Sequence, residues 1–157
     1  RNDGTLELVH DYTLDARGNV TETRRVAKTG SGLADIVTTA GFDASCANAL
    51  VCNKPLWTRD AKGNQTDYTY DPNHGGVLTV TLPAATPGGV RPQTRYTYQQ
   101  YQAYAKNSGG SIVASGAPVY RLTGVSTCQT TASCAATADE VRAVVDYGPQ
   151  VAGTATN

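Results

Sequence analysis

Four cysteines carry the most reactive chemistry in this chain. They stand as two pairs, Cys46 with Cys52 and Cys128 with Cys134, each with five residues between the partners. Four thiolates could hold zinc in a tetrahedral site. Structural zinc ribbons usually place about two residues between paired ligands, however, and no histidine suited to ligation stands near either pair. The leading expectation is a disulfide within each pair, with free thiols and zinc as the alternatives. Closing so short a loop contributes ~2 kcal/mol by the loop-entropy argument. It also implies an oxidising compartment: the cell surface, the periplasm or the exterior.

The other candidates are isolated. His10 falls on the leucine-bearing side of an alternating stretch and His74 falls in a turn, neither with a nucleophile or metal partner nearby in sequence. Asp60, Asp67 and Asp71 suggest calcium, but their spacing does not follow the alternating acidic ligands of an EF-hand loop. No GxSxG, glycine-rich phosphate loop or paired-acid motif is present. No residue is assigned to catalysis, to a metal or to a cofactor, and the chain is not read as an enzyme.

The elements that must position these residues announce themselves as repeats. Asp15-Ala16-Arg17-Gly18-Asn19 recurs as Asp60-Ala61-Lys62-Gly63-Asn64, and Asp11-Tyr12-Thr13-Leu14-Asp15 recurs as Asp67-Tyr68-Thr69-Tyr70-Asp71. In each first unit an aspartate opens a turn where its carboxylate can accept a backbone N–H two residues on. Glycine follows three positions later, where φ is often positive. In Asp71-Pro72-Asn73-His74-Gly75-Gly76, proline presets φ and two glycines cover the exit. The flanks are rich in Thr, Tyr and Val at period two, the composition of strands.

Tyr70-Asp71 before Gly75-Gly76, and Tyr12-Thr13-Leu14-Asp15 before Gly18-Asn19-Val20-Thr21, resemble the tyrosine-aspartate (YD) repeat of the Rhs family. The resemblance runs over roughly residues 5–105 and more loosely beyond, with unevenly spaced copies separated by cysteine-bearing insertions. In proteins of that family, successive hairpins pair into a long sheet. The sheet spirals into a shell around a toxic C-terminal domain or serves as a surface scaffold. The resemblance implies an all-β fold of consecutive antiparallel hairpins forming an extended, curved or spiralling sheet. The family is mainly bacterial, so turn formation accounts better than N-glycosylation for Asn19-Val20-Thr21 and Asn64-Gln65-Thr66. The family's self-cleaving region and variable toxin have no match here, and neither activity is carried over.

The chain has 157 residues, starts at Arg1 and contains no Met, no signal peptide and no apolar run long enough to span a membrane. It is expected to be a segment of a larger protein, one YD-repeat unit over 1–157. Within it, a first hairpin occupies 5–30, a central repeat with its cysteine loop 35–82, degenerate repeats with the second loop 91–147, and a tail 148–157. Thirteen basic and thirteen acidic residues give zero formal charge, with signs interspersed, so neither nucleic acid nor an anionic membrane is an expected partner. One Phe, one Trp and nine Tyr predict a thin core.

Alternation places strands at 5–14, 20–29, 36–42, 56–60, 65–70 and 77–82, then at 94–105 with a bulge or end near Gln99-Gln100. Further strands are expected at 111–114, 119–127 and 141–147, with a short helix over 135–140. The expected function is structural: a wall segment that pairs with neighbouring repeats and encloses or presents an effector. The alternative is an extracellular fibre or adhesin growing through identical chains at its strand edges. A third reading makes Trp57, Tyr96, Tyr98, Tyr101 and Tyr104 stacking platforms for glycans.

Overall fold

The computed structural model describes residues 8–128 and 130–148. It is all-β, with no helix among the described residues. The strands are β1 (Val9–Leu14), β2 (Val20–Val26), β3 (Ile36–Gly41), β4 (Trp57–Arg59), β5 (Gln65–Tyr70), β6 (Val77–Thr81), β7 (Gln93–Tyr101), β8 (Tyr104–Lys106), β9 (Ile112–Ala114), β10 (Val119–Cys128) and β11 (Glu140–Val144). Nine form one antiparallel sheet in the order β1-β2-β3-β4-β5-β6-β7-β10-β11, while β8 and β9 pair separately. The chain divides into two compact units, Arg1–Gln93 and Thr94–Asn157.

In the first unit, the repeated corner is built by one aspartate each time. Asp15 Oδ1 accepts the N–H of Arg17 (2.8 Å) and of Asn19 (2.9 Å), and Oδ2 accepts Asn19 Nδ2 (2.8 Å). Asp60 accepts the N–H groups of Lys62 and Asn64 at 2.9 Å each and Asn64 Nδ2 at 2.8 Å. Gly18 and Gly63 sit at φ 84° and 86°. The sequence pattern reads these two turns correctly. A third copy stands in the second unit, where Asn107-Ser108-Gly109-Gly110 reads in sequence as a turn but not as a repeat: Asn107 takes the aspartate's place, with Gly110 N–H on its carbonyl (3.0 Å), Ser111 N–H on its Oδ1 (3.0 Å) and Gly110 at φ 86°. An asparagine carbonyl oxygen accepts the same amide that the carboxylate does.

Polar side chains stand on both faces of the first unit's sheet. Tyr12, Thr23 and Thr38 stand in one cross-strand row, and Ala40, Thr58 and Thr66 in another. On the opposite side Glu22, Thr39, Arg59 and Gln65 line up, and Arg59 Nη2 donates to Gln65 Oε1 at 2.6 Å. Among the described residues the only buried hydrophobic side chains are Cys52, Cys128 and Cys134, while Tyr12, Leu14 and Val9 of β1 are exposed. The core is thinner than the composition suggests.

Strands β5 and β6 are closed at their far end by Arg91. Its Nη1 pairs with Asp67 Oδ2 at 2.6 Å, its Nη2 donates to Gln65 O at 2.8 Å and Thr81 O at 3.2 Å, and its Nε donates to Leu82 O at 3.0 Å. The 83–92 stretch reads in sequence as a Pro/Gly loop, and its arginine is the part that pins it.

Several expectations are corrected. Residues 5–7 and 149–157 lie outside the described residues, so the first strand and the tail are followed only from Leu8 and to Gly148. The strand placed at 20–29 stops at Val26, where Ala27 N–H turns to Asp35 Oδ1 (2.8 Å). The long strand at 94–105 is two, β7 and β8, with the break at Gln102-Ala103. β7 ends at Tyr101, so the strand end expected near Gln99-Gln100 is found there, while the bulge lies on its partner, where Thr123 is the extra residue between Leu122 and Gly124. The strand placed at 141–147 is shorter, ending at Val144. Residues 135–140 form no helix; Ala136 adopts φ 59°, and the carboxylates of Asp139 and Glu140 bind the loop.

Gly41 faces Trp57 across β3 and β4, and a Cβ there would lie 2.2 Å from the indole ring. Gly63 has open space around it, and only its φ opposes a side chain. Gly41→Ala should therefore displace the single tryptophan and shift its fluorescence emission, at a cost of ~1–3 kcal/mol. Gly63→Ala should cost ~1–2 kcal/mol from left-handed strain with emission unchanged. Urea titration and emission spectra of the two variants check this pair; equal emission shifts would contradict it.

Candidate functional site

The best-organised polar cluster of the first unit surrounds the loop between β3 and β4. Cys46 and Cys52 are joined in a disulfide with Cα atoms 4.7 Å apart. The loop closes on itself through Asn48, whose carbonyl accepts the N–H of Val51 (3.1 Å) and Cys52 (2.9 Å) and whose Oδ1 accepts that of Leu50 (2.9 Å). Two hairpin corners then grip it. From the 15–19 turn, Arg17 donates to Asp43 O (2.5 Å), Ala44 O (3.2 Å), Asn53 Oδ1 (3.2 Å) and Cys52 O (3.4 Å), and Asn19 Nδ2 reaches Asn53 Oδ1 (3.2 Å).

From the 71–76 turn, Pro72 O accepts Asn48 Nδ2 (2.8 Å), and Gly75 O accepts Lys54 Nζ. Tyr70 OH donates to Pro55 O at 2.8 Å, and burial pushes that phenol's pKa up. Gly75 is buried at φ 70°, and a Cβ there would stand 2.8 Å from Leu50 O. The repeat-turn residues thus do two jobs: they close hairpins and brace the disulfide loop.

In the second unit Cys128 and Cys134 form the other disulfide, Cα atoms 5.5 Å apart. Arg95 Nη2 lies 3.3 and 3.4 Å from their sulfur atoms and 3.2 Å from Ser126 Oγ. Ser126 Oγ also donates to Glu140 Oε1, and Glu140 Oε2 accepts Ala136 N–H (2.8 Å); the Ser126 hydroxyl, then this amide, hold the Glu140 carboxyl below its usual range. Asp139 accepts the hydroxyls and N–H groups of both Thr130 and Thr131, at 2.6 to 2.9 Å. Those hydroxyls, then the amides, draw its pKa down to about 2.

The structure pairs all four cysteines as the leading expectation had it, which leaves no thiolate for zinc. Cys128, Cys134 and Asp139 lie together, but with both sulfurs covalently engaged they form no ligand set. The three aspartates considered for calcium are dispersed in role. Asp60 and Asp71 serve their own turns, and Asp67 holds Arg91. Asn19 and Asn64 spend their side-chain N–H groups on those turns as well.

His74 Nδ1 accepts Gly76 N–H (3.1 Å) and its Nε2 lies 3.4 Å from Asp71 Oδ2, so the ring fastens a corner. His10 lies beside Tyr12 on the exposed edge strand. The five aromatic glycan candidates fall in both units. Trp57 is in the first unit against Gly41, with Arg59 5.3 Å from its ring. Tyr96 and Tyr98 alternate with Tyr101 on β7, and Tyr104 begins β8. Tyr98 and Tyr101 both border one groove of the second unit. Sequence reasoning missed Arg17, Arg91, Arg95 and Asp139; the one usable sign was that Arg17, Arg91 and Asp139 are charged residues set in or beside loops of small residues, whereas Arg95 lies within β7.

No protein-family model, no curated protein and no solved structure matches the chain.

Two outcomes follow from these loops. The Asp139 carboxyl is more acidic than its unfolded value of 3.8, so its support of the second loop is complete above pH ~4 and disappears as pH falls towards 2. The amides of Thr130 and Thr131 should lose exchange protection in that window, and Asp139→Ala, which removes both acceptor oxygens, should show the loss already at neutral pH. Arg17→Lys should speed amide exchange at Cys52 and across residues 43–53 while leaving the β5–β6 amides unchanged, because an ammonium cannot span several carbonyls as a planar fork does. Hydrogen-exchange mass spectrometry with the disulfides intact reads both.

Proposed function

We propose that this chain is a structural repeat segment, building part of an Rhs-type β shell or scaffold that encloses or presents a C-terminal effector. The observation that carries the reading is a sheet made of consecutive antiparallel hairpins whose described residues bury no hydrophobic side chain except three cysteines. A sheet of that kind gains its order from backbone ladders and corners, which suits a wall with two wetted faces better than a domain folded around a pocket.

The edges support the same reading. β1 bears exposed Val9, Tyr12 and Leu14, and β11 bears exposed Val141 and Val144. Each edge strand has one row of backbone groups to offer, and its natural occupants are neighbouring repeats of the same polypeptide. The two disulfides favour a secreted or cell-surface setting. No catalytic step is assigned to any residue. The second reading, a fibre or adhesin built from identical chains, rests on these same edges.

The two part company in experiment. In the complete polypeptide carrying this segment, cryo-electron microscopy should show β1 and β11 each flanked by a further strand of that polypeptide. Edges open to solvent there would overturn the wall reading. The isolated chain should remain a monomer across a concentration series in size-exclusion chromatography; growth into filaments would favour the fibre.

A further inference from the structure

The two disulfides each span six positions, so the loop-closure entropy that favours either bond is the same. What separates them is their surroundings. In the second unit, Arg95 of β7 directs its Nη2 at both sulfurs, 3.3 Å from Cys128 Sγ and 3.4 Å from Cys134 Sγ. Its only other side-chain hydrogen bond among the described residues goes to Ser126 Oγ at 3.2 Å, and no carboxylate there forms a salt bridge with it. The facing anions are engaged elsewhere: Glu140 by the Ser126 hydroxyl and Ala136 N–H, Asp139 by Thr130 and Thr131. In the first unit Arg17 donates to backbone carbonyls, Cys52 O among them. No cationic side chain among the described residues hydrogen-bonds a sulfur of Cys46 or Cys52.

A guanidinium beside a disulfide gains little from it, because a bonded sulfur is a weak acceptor. Against a thiolate the same contact becomes a charge-assisted hydrogen bond. Arg95 therefore favours the reduced pair over the oxidised one, and a disulfide whose reduced form is stabilised opens more readily.

We propose that Cys128–Cys134 is a redox-responsive clasp at β11, opened by a dithiol reductant under conditions that leave Cys46–Cys52 closed. One thiolate of the reductant attacks a cysteine sulfur, forming a mixed disulfide and releasing the other cysteine; the reductant's second thiol then displaces the first. The reductant leaves as its own disulfide. Its two electrons stay on the pair as one thiol and one thiolate, the thiolate held by Arg95, and one proton passes to solvent. Both sulfurs are buried, so the rate depends on the exposed residues 130–133 lifting, while Arg95 sets the equilibrium. Opening removes the covalent tie in the connection from β10, which ends at Cys128, to the edge strand β11. The clasp goes beyond the wall reading and does not depend on it, since it uses only the second unit's own residues.

The test equilibrates the intact chain, without denaturant, across a series of reduced and oxidised dithiothreitol; thiols are trapped by alkylation and each pair is read by peptide mass spectrometry. Cys128 and Cys134 should be reduced first, with an equilibrium constant about tenfold larger than that of Cys46 and Cys52, or ~30 mV for a two-electron couple. In the selectively reduced chain, alkylation by iodoacetamide between about pH 5 and pH 9 should reach half its maximum at a lower pH than glutathione does. Arg95→Gln should abolish both differences, and Arg95→Lys, which keeps a cation, should retain most of each. Amide exchange across Glu140–Val144 should quicken on selective reduction while that of Val9–Leu14 stays as it was. In the parent chain alone, reduction of the first pair before or together with the second overturns the proposal. So does a folded Arg95→Gln that keeps the preference, or β11 exchange that reduction leaves unaltered.

Discussion

Backbone amides that must find acceptors without the help of a dry interior set the terms for this protein. In most domains an apolar core holds strands together and turns follow. Here the described residues bury almost nothing apolar, so the corners carry the specification. One carboxylate oxygen gathering two amides, with the second oxygen holding an asparagine side chain, makes a turn that has few alternatives. The strands on either side then pair in the only register that the corner allows.

A sheet so thin needs ties between non-adjacent pieces, and arginine supplies them. Arg17 and Lys62 occupy the same place in the two repeats and look interchangeable in sequence. In the structure Arg17 reaches the carbonyls of Asp43, Ala44 and Cys52, whereas the Lys62 side chain makes no hydrogen bond or ion pair among the described residues. The difference is geometric: a planar fork with five donors can satisfy several loop carbonyls together, and a single ammonium on a flexible stem cannot. Arg91 does comparable service for β5 and β6, and Arg95 lies against the second disulfide.

Period-two alternation and turn residues made most of the strands legible, because those signals act over a few neighbouring residues. The 65–70 strand and the DARGN and DAKGN corners are found where they were expected. Misreadings occur where a distant partner decides. Nothing local in Gln99-Gln100 reveals that the bulge belongs to Thr123 on the facing strand. Nothing helical fails in residues 135–140 until Asp139 and Glu140 are seen drawn to Thr130, Thr131 and Ser126. Candidate sites were less legible still. Cysteine spacing allowed the pairing to be anticipated, but the groove at Tyr101 draws on β7, β10 and β11 together, and β11 lies some forty residues beyond β7.

From β1 to β6, every strand pairs with the one just before it in the chain, and each disulfide spans only six positions. No long excursion has to be closed in that stretch before a ladder can form, which keeps the entropic barrier to pairing small. A polypeptide with this wiring can emerge linearly through a narrow passage and zip up behind it, each arriving segment adding to a template already laid down. Oxidation then locks corners locally and need not wait for, or search among, distant parts of the chain.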